Sequence, residues 1–326
     1  MFSVKKLRSD SGRIKAVIAV VILVIVIGAD VAVLKLSGGR VSTLTAVSLS
    51  RTAMENVKKV NSAQVGMVID MDGKIEYAPL NIGMDVGLKF DIDMEAVRGP
   101  LKTKGFVDAE IEVLGKKNKA SAEFFTDDGE KENSVTYARL ANMNWTKKTK
   151  EKKASGTSGN PMGAGIVIVK GISEEKLTAE LMEETVEVDG KEAWQMNCVA
   201  DGVFLKDVID TDLVNEDDLP FDPEKVEWEN VQIPVTVYIY KETKLPARIV
   251  MDCSTIGGEA LSKTLKDSLE NTMFSGINVT ISKCAVDMTI TRYDEIEEIV
   301  IPEEALSAKE SKDLLSQILD TIGVEQ

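Results

Sequence analysis

Residues 82–94 read IGMDVGLKFDIDM, with Ile82, Met84, Val86, Leu88, Phe90, Ile92 and Met94 at every second position. Gly83, Asp85, Gly87, Lys89, Asp91 and Asp93 fill the gaps. A period of two over this length predicts a long β-strand with one dry face and one wet face, as in an antiparallel sheet solvated on one side. Upstream, Val65, Met67, Ile69 and Met71 alternate in the same way toward a turn expected at Asp72-Gly73. Downstream, Arg98-Gly99-Pro100 turns the chain into a run through Phe106, Ile111 and Val113, and Gly115 to Lys117 turns it again toward Ala120, Ala122 and Phe124. Long strands joined by short turns predict a meander, with two further strands expected at 135–140 and 143–146.

The meander is preceded by a segment of different character. Ala16 to Ala29 reads AVIAVVILVIVIGA behind Lys5, Lys6, Arg8, Arg13 and Lys15, and with Val31 to Leu34 it reaches the roughly 20 residues a membrane-spanning helix needs. The basic flank predicts a cytoplasmic N-terminus and an outward-facing body. Ile27-Gly28-Ala29 offers a cleavage site, but the apolar run continues to Leu36 and no Cys follows to accept a lipid, so an uncleaved anchor is expected. The organisation read is a basic segment at 1–15, an anchor at 16–36 and an extracytoplasmic body at 37–326.

Beyond Leu36 the chain carries 33 Lys and Arg against 52 Asp and Glu, a net of −19. Such a surface repels nucleic acid. No histidine occurs anywhere, which removes the commonest general base, the Ser-His and Cys-His nucleophile pairs and the most frequent transition-metal ligand. Ser173 and Lys176 form an S-x-x-K string without its companion motifs, and the same serine, followed by Glu174 and Glu175, reads as the cap of a helix leading to Leu177, Leu181 and Met182. No catalytic residue, metal site or cofactor is expected. The carboxylates of Asp210, Asp212, Glu216, Asp217, Asp218 and Asp222 lack the central Gly and terminal Glu of a calcium loop and read as a solvated stretch.

Ser42 or Thr43 is positioned to cap a helix to about Asn61, with Val47, Met54, Val57 and Val60 at helical spacing. Residues 147–165, KKTKEKKASGTSGNPMGAG, read as a flexible Lys-rich loop. Asp189-Gly190 between alternating runs signals a two-residue hairpin whose second strand places Trp194, Met196 and Cys198 on one face. Ile277, Val279 and Ile281 are apolar at odd positions but Cys284, Val286, Met288 and Ile290 at even ones, which predicts a bulge near Ser282-Lys283. Cys198, Cys253 and Cys284 fall on inward faces of separate strands; buried free thiols are the first expectation, one disulfide with one thiol left over the second.

Val231 to Asp252, VQIPVTVYIYKETKLPARIVMD, resembles the strand–turn–strand of LolA-like and LppX-like exported proteins. Tyr240, Lys241, Thr243, Leu245, Pro246 and Arg248 match that pattern, while Lys244 stands where Gly is common. The resemblance implies an α+β fold, a curved antiparallel half-barrel covered by a few helices, in a family whose members accept acyl chains or other apolar ligands and bring no catalytic residues. Cover is expected from helices near 47–60, 258–273 and 303–322. The inward residues read as the candidate ligand wall are Met84, Leu88, Phe90, Met94, Trp194, Met196, Val237, Met251 and Met288. The function expected is a membrane-tethered extracytoplasmic binding protein for an apolar or lipidic ligand, with no nucleic acid as partner. The alternative is a fully packed interaction or sensor module that meets a protein or wall polymer.

Overall fold

The computed structural model describes residues 45–77, 82–99, 101–113, 115–128, 133–141, 143–151, 165–208, 228–254 and 277–310. The anchor segment, the acidic stretch from 209 to 227 and the helix expected at 258–273 lie outside these residues. Among the described residues no helix is long and apolar enough to cross a membrane.

Among the described residues the alternating runs assemble into one open, curved sheet of twelve strands. In chain order these are β1 (Ser62–Tyr77), β2 (Ile82–Val97), β3 (Lys102–Val113), β4 (Lys116–Asp127), β5 (Asn133–Leu140) and β6 (Thr146–Glu151). They continue with β7 (Ala179–Val188), β8 (Lys191–Asp201), β9 (Gln232–Tyr240), β10 (Pro246–Asp252), β11 (Ile277–Thr291) and β12 (Lys309–Glu310). The spatial order is β12-β6-β5-β4-β3-β2-β1-β11-β10-β9-β8-β7. Two antiparallel meanders thus meet where β1 pairs with β11, and only the short β12 runs parallel to its neighbour.

β1 does not turn at Asp72-Gly73 but runs on to Tyr77. Gly73 instead marks the register shift against β11, where Asp72 faces Lys283 and Gly73 faces Ile281, leaving Ser282 as the extra residue. This is the bulge that the change of parity predicted. A Cβ at Gly73 would come within 2.8 Å of the Thr280 carbonyl oxygen, so the close approach of the strands requires glycine there. The Asp189-Gly190 hairpin also forms, with both residues at positive φ (50° and 71°). At the turn between β9 and β10 Lys244 has φ 56°, which explains why glycine is common at that point of the pattern.

One face of the sheet carries the main core. Ala63, Val65, Met67, Ile69 and Met71 of β1 continue across β2 and β11 through pairs such as Ile69–Phe90 and Met67–Met288. Helix α1 (Ala46–Val57) and helix α2 (Gly165–Ser173) lie on this face against each other. Thr45 caps α1: its hydroxyl accepts from the Ser48 amide and the Ser48 hydroxyl accepts from the Thr45 amide, while Ser42 and Thr43, the expected caps, lie outside the described residues. The buried stripe of α1 is Ala46, Leu49, Ser50, Ala53, Met54 and Val57, and Val47 is only half-buried. Helix α2 ends at Ser173 where a helix start was expected, and the chain turns into β7. Its Ile166, Val167, Ile168, Val169 and Ile172 are all buried, the pattern of a helix enclosed on every side. Arg51 of α1 clamps the end of α2, donating from Nε to the Ser173 carbonyl (3.0 Å) and pairing with Glu175 (2.6 Å).

A second, smaller core lies on the outer face. Phe125, Tyr137 and Trp145 pack against Ile299, Ile301 and Ala305, which belong to a strap that leaves β11 and crosses to β6. Asp294 secures the strap, accepting from the Asn61 and Ser62 amides at 2.6 and 3.3 Å. Of the C-terminal helix expected at 303–322, the described residues hold one turn, α4 (Glu303–Leu306), preceded in the chain by α3 (Gly202–Val208) and followed by β12, and 311–322 lie outside them. Part of the Lys-rich stretch is likewise strand: β6 holds 146–151 between β5 and β12.

Candidate functional site

The inner face divides into a closed part and an open part. On the closed side, under α1 and α2, Met196, Val237, Ile239, Ile249 and Ile290 are wholly buried. The Ser50 hydroxyl lies 3.8 Å from the Met196 sulfur, which places α1 directly over β8. Phe90 and Met288, at 1% exposure, belong to the same packed body, with Phe90 set between Ile69 on β1 and Ala109 on β3. Leu88 is buried beside them, opposite Met71 and Ile111.

The remaining residues expected on the ligand wall are half-buried and lie apart from one another. Met84 and Met94 occupy opposite ends of β2, about 33 Å apart at strand rise. Met251 sits at the end of β10, opposite Val286 and Val235. Trp194 faces inward on β8 next to Ile239, its ring 5.5 Å from the Lys241 ammonium and 5.9 Å from that of Lys244. Met196, Val237 and Met288 therefore form one buried body, and Met84, Met94, Trp194 and Met251 form its margins.

The open part lies across β2, β3 and β4. The register places Met94 opposite Gly105, Gly105 opposite Phe124, Ile92 opposite Val107 and Val107 opposite Ala122. Met94, Val107, Ala120, Ala122 and Phe124 are all half-buried, and together they make one contiguous apolar area. Gly105 shapes it: a Cβ there would run into the Phe124 ring, so glycine is what lets that ring lie across β3. Val107 and Phe124 were not among the residues expected, because small neighbours at Gly105, Ala109, Ala120 and Ala122 weaken the hydrophobic pattern around them. Phe106, read as part of the same run as Ile111, has the opposite parity and is 47% exposed on the outer face beside Lys104.

Among the described residues the S-x-x-K string does not form a nucleophile–base pair. The Ser173 hydroxyl donates to the Lys170 carbonyl at 2.8 Å, while the Lys176 ammonium sits 2.6 Å from an Asp207 carboxylate oxygen. That hydrogen bond raises the Lys176 pKa and keeps the side chain as the ammonium, without a free amine to act as general base. Burial pushes the Cys198 thiol up to about 11, which keeps it protonated and unreactive. Among the described residues no group of three acidic, Cys or His side chains is placed to hold a metal ion.

No protein-family profile matches the chain, and no curated protein matches it in sequence. Solved structures do. LprF from Mycobacterium bovis is similar at 12% identity and a TM-score of 0.39, with 80% of this chain and 97% of that one covered. The lipoprotein LppX from Mycobacterium tuberculosis follows at 11% identity and a TM-score of 0.38, covering 78% and 98%. LppX is a member of the group that the strand–turn–strand resembles. A DUF1329 family protein from Desulfovibrio piger aligns at 9% identity and a TM-score of 0.21, covering 78% and 96%. These likenesses transfer neither a residue role nor a ligand to this chain.

Proposed function

We propose that this chain is a non-catalytic, membrane-tethered extracytoplasmic binding protein that takes an apolar or lipidic ligand on the inner face of β2–β4. The observation that carries the reading is the contiguous half-buried area of Met94, Val107, Ala122 and Phe124, in a sheet whose other half is sealed by helices. Apolar surface left in water is unfavourable by about 25 cal/mol per Å², and a ligand laid along these strands recovers that free energy. The basic cluster and apolar run at the N-terminus support the tether and the outward orientation. A retained tether limits travel between membranes and favours a receptor, sensor or local chaperone over a free shuttle.

The near-complete burial of Phe90, Met196, Val237 and Met288 favours a second reading, a fully packed module that meets a protein or wall polymer and holds no internal ligand. Titration of the full-length chain with a fluorescent fatty-acyl probe separates the two. Saturable binding abolished by Val107→Asp or Phe124→Asp and unchanged by Met196→Leu supports the ligand face. Absence of saturable binding by the wild-type chain supports the packed module. Protease digestion of intact cells tests the orientation, which requires that the body be degraded from outside.

A further inference from the structure

We propose that Cys253 and Cys284 form a disulfide in the exported protein, locking the last rung between β10 and β11. The inference rests on the outward placement proposed above, since disulfides persist outside the cytoplasm. Its geometric basis is independent of that placement. The β10–β11 ladder pairs Met251 with Val286 and Asp252 with Ala285, so the next pair in register is Cys253 and Cys284. The rung is made: the Cys253 amide donates to the Cys284 carbonyl at 2.7 Å. Directly opposed residues of this kind have Cα atoms about 5.5 Å apart, inside the span of roughly 4.4–6.8 Å that a disulfide bridges.

The side chains already meet. The two sulfurs are near enough to influence each other: the neighbouring Cys284 and burial push the Cys253 thiol up. Cys198 is excluded as a partner because it lies on β8, opposite Val235 of β9 and Ala179 of β7. The place also has a structural use. Beyond Asp252 β11 loses β10 as a neighbour, and two residues before Cys284 it bulges at Ser282. Among the described residues the end of β10 is tied to β11 by the Cys253 amide bond and by the Ser254 hydroxyl, which accepts from the Cys284 amide at 3.0 Å, while the other edge of β11 stays paired with β1. Strand ends held by so few bonds open first.

The oxidant is a protein or small-molecule disulfide. Cys253, the more exposed of the two, attacks one of its sulfurs, loses its proton and releases one thiol from the oxidant. The Cys284 sulfur then attacks Cys253, loses its proton and expels the second thiol. Two protein thiols become one disulfide while the oxidant is reduced to two thiols.

The test begins with the full-length chain, reduced and then equilibrated with glutathione disulfide, trapped with maleimide and mapped without reductant. The expected product links the Cys253 and Cys284 peptides and leaves Cys198 alkylated. It melts on the order of 10 °C above the reduced form, a difference that Cys253→Ser removes and Cys198→Ser keeps. Stable glutathionylation of Cys253, three free thiols, or a bond to Cys198 would overturn the pairing. Chain taken directly from an exporting host is mapped in parallel. If purified protein forms the bond but host protein holds only thiols, the outward placement fails, and with it the bond in the cell, while the pairing geometry stands.

Discussion

Replacing Phe90 by Ala tests the division between packed core and open face. The ring is 1% exposed, on the inner face of β2 between Ile69 and Ala109, with Leu88 and Ile92 along the same strand. Because Ala109 is small and the flanking residues are themselves packed, the surroundings collapse poorly onto the space left. Phe→Ala at such sites costs about 3–5 kcal/mol from lost transfer free energy and residual cavity. For a protein of this size that lowers Tm on the order of 10 °C. Phe124→Ala, removing the same ring from a half-buried site, costs about 1–2 kcal/mol because part of that surface is already hydrated. The exposed Lys89→Ala stays within about 0.5 kcal/mol. Urea unfolding of the three variants, followed by far-UV circular dichroism at matched slopes, gives the comparison. A cost for Phe90→Ala below about 1 kcal/mol, or no larger than for Phe124→Ala, would show that Phe90 faces space rather than packed atoms and would refute the division.

Lys244→Gly relieves a left-handed backbone at the β9–β10 turn and raises stability by about 1 kcal/mol, whereas Lys244→Val lowers it; denaturant midpoints check both. Asp294→Ala removes the acceptor for the Asn61 and Ser62 amides and puts alanine at φ 58°, costing about 1–3 kcal/mol and speeding amide exchange along the strap. Hydrogen bonds from Lys117 and Lys119 hold the Glu110 carboxyl at about 2, below its ordinary 4.5. A depressed folded pKa means that this carboxylate's contribution is complete above about 4.5 and is lost as pH falls toward about 2. The stability gap between wild type and Glu110→Gln therefore narrows over that window; a gap that stays constant there would contradict the assignment.

The sheet was legible because its signals are local. Strict alternation at 82–94, the change of parity around Ser282 and the Asp189-Gly190 turn each act through their own backbone and reappear as β2, the bulge and the β7–β8 hairpin. Elements defined by distant partners were not legible. β6 is rich in lysine because it lies near the sheet edge, where charge costs little and backbone pairing with β5 and β12 holds the strand. α2 is apolar on every side, so it lacks the polar stripe by which helices are recognised. Its first described neighbour is a helix more than a hundred residues earlier. The strap leaves its mark only as isolated residues, Ile299, Ile301 and Ala305, whose companions Phe125, Tyr137 and Trp145 belong to the first meander. For the candidate site, parity identified the inner face correctly on β2 and β8. It carried no information on where α1 and α2 would lie, and their position separates buried Met196 and Val237 from half-open Met94 and Phe124.

The central claim, an apolar ligand on β2–β4, is tested most directly by native mass spectrometry with lipid extraction on the full-length chain purified from an exporting host. The account predicts a stoichiometric apolar adduct that is retained by Lys89→Ala and lost in Val107→Asp. A clean apo mass for wild-type protein handled in the presence of its own membrane lipids would contradict it.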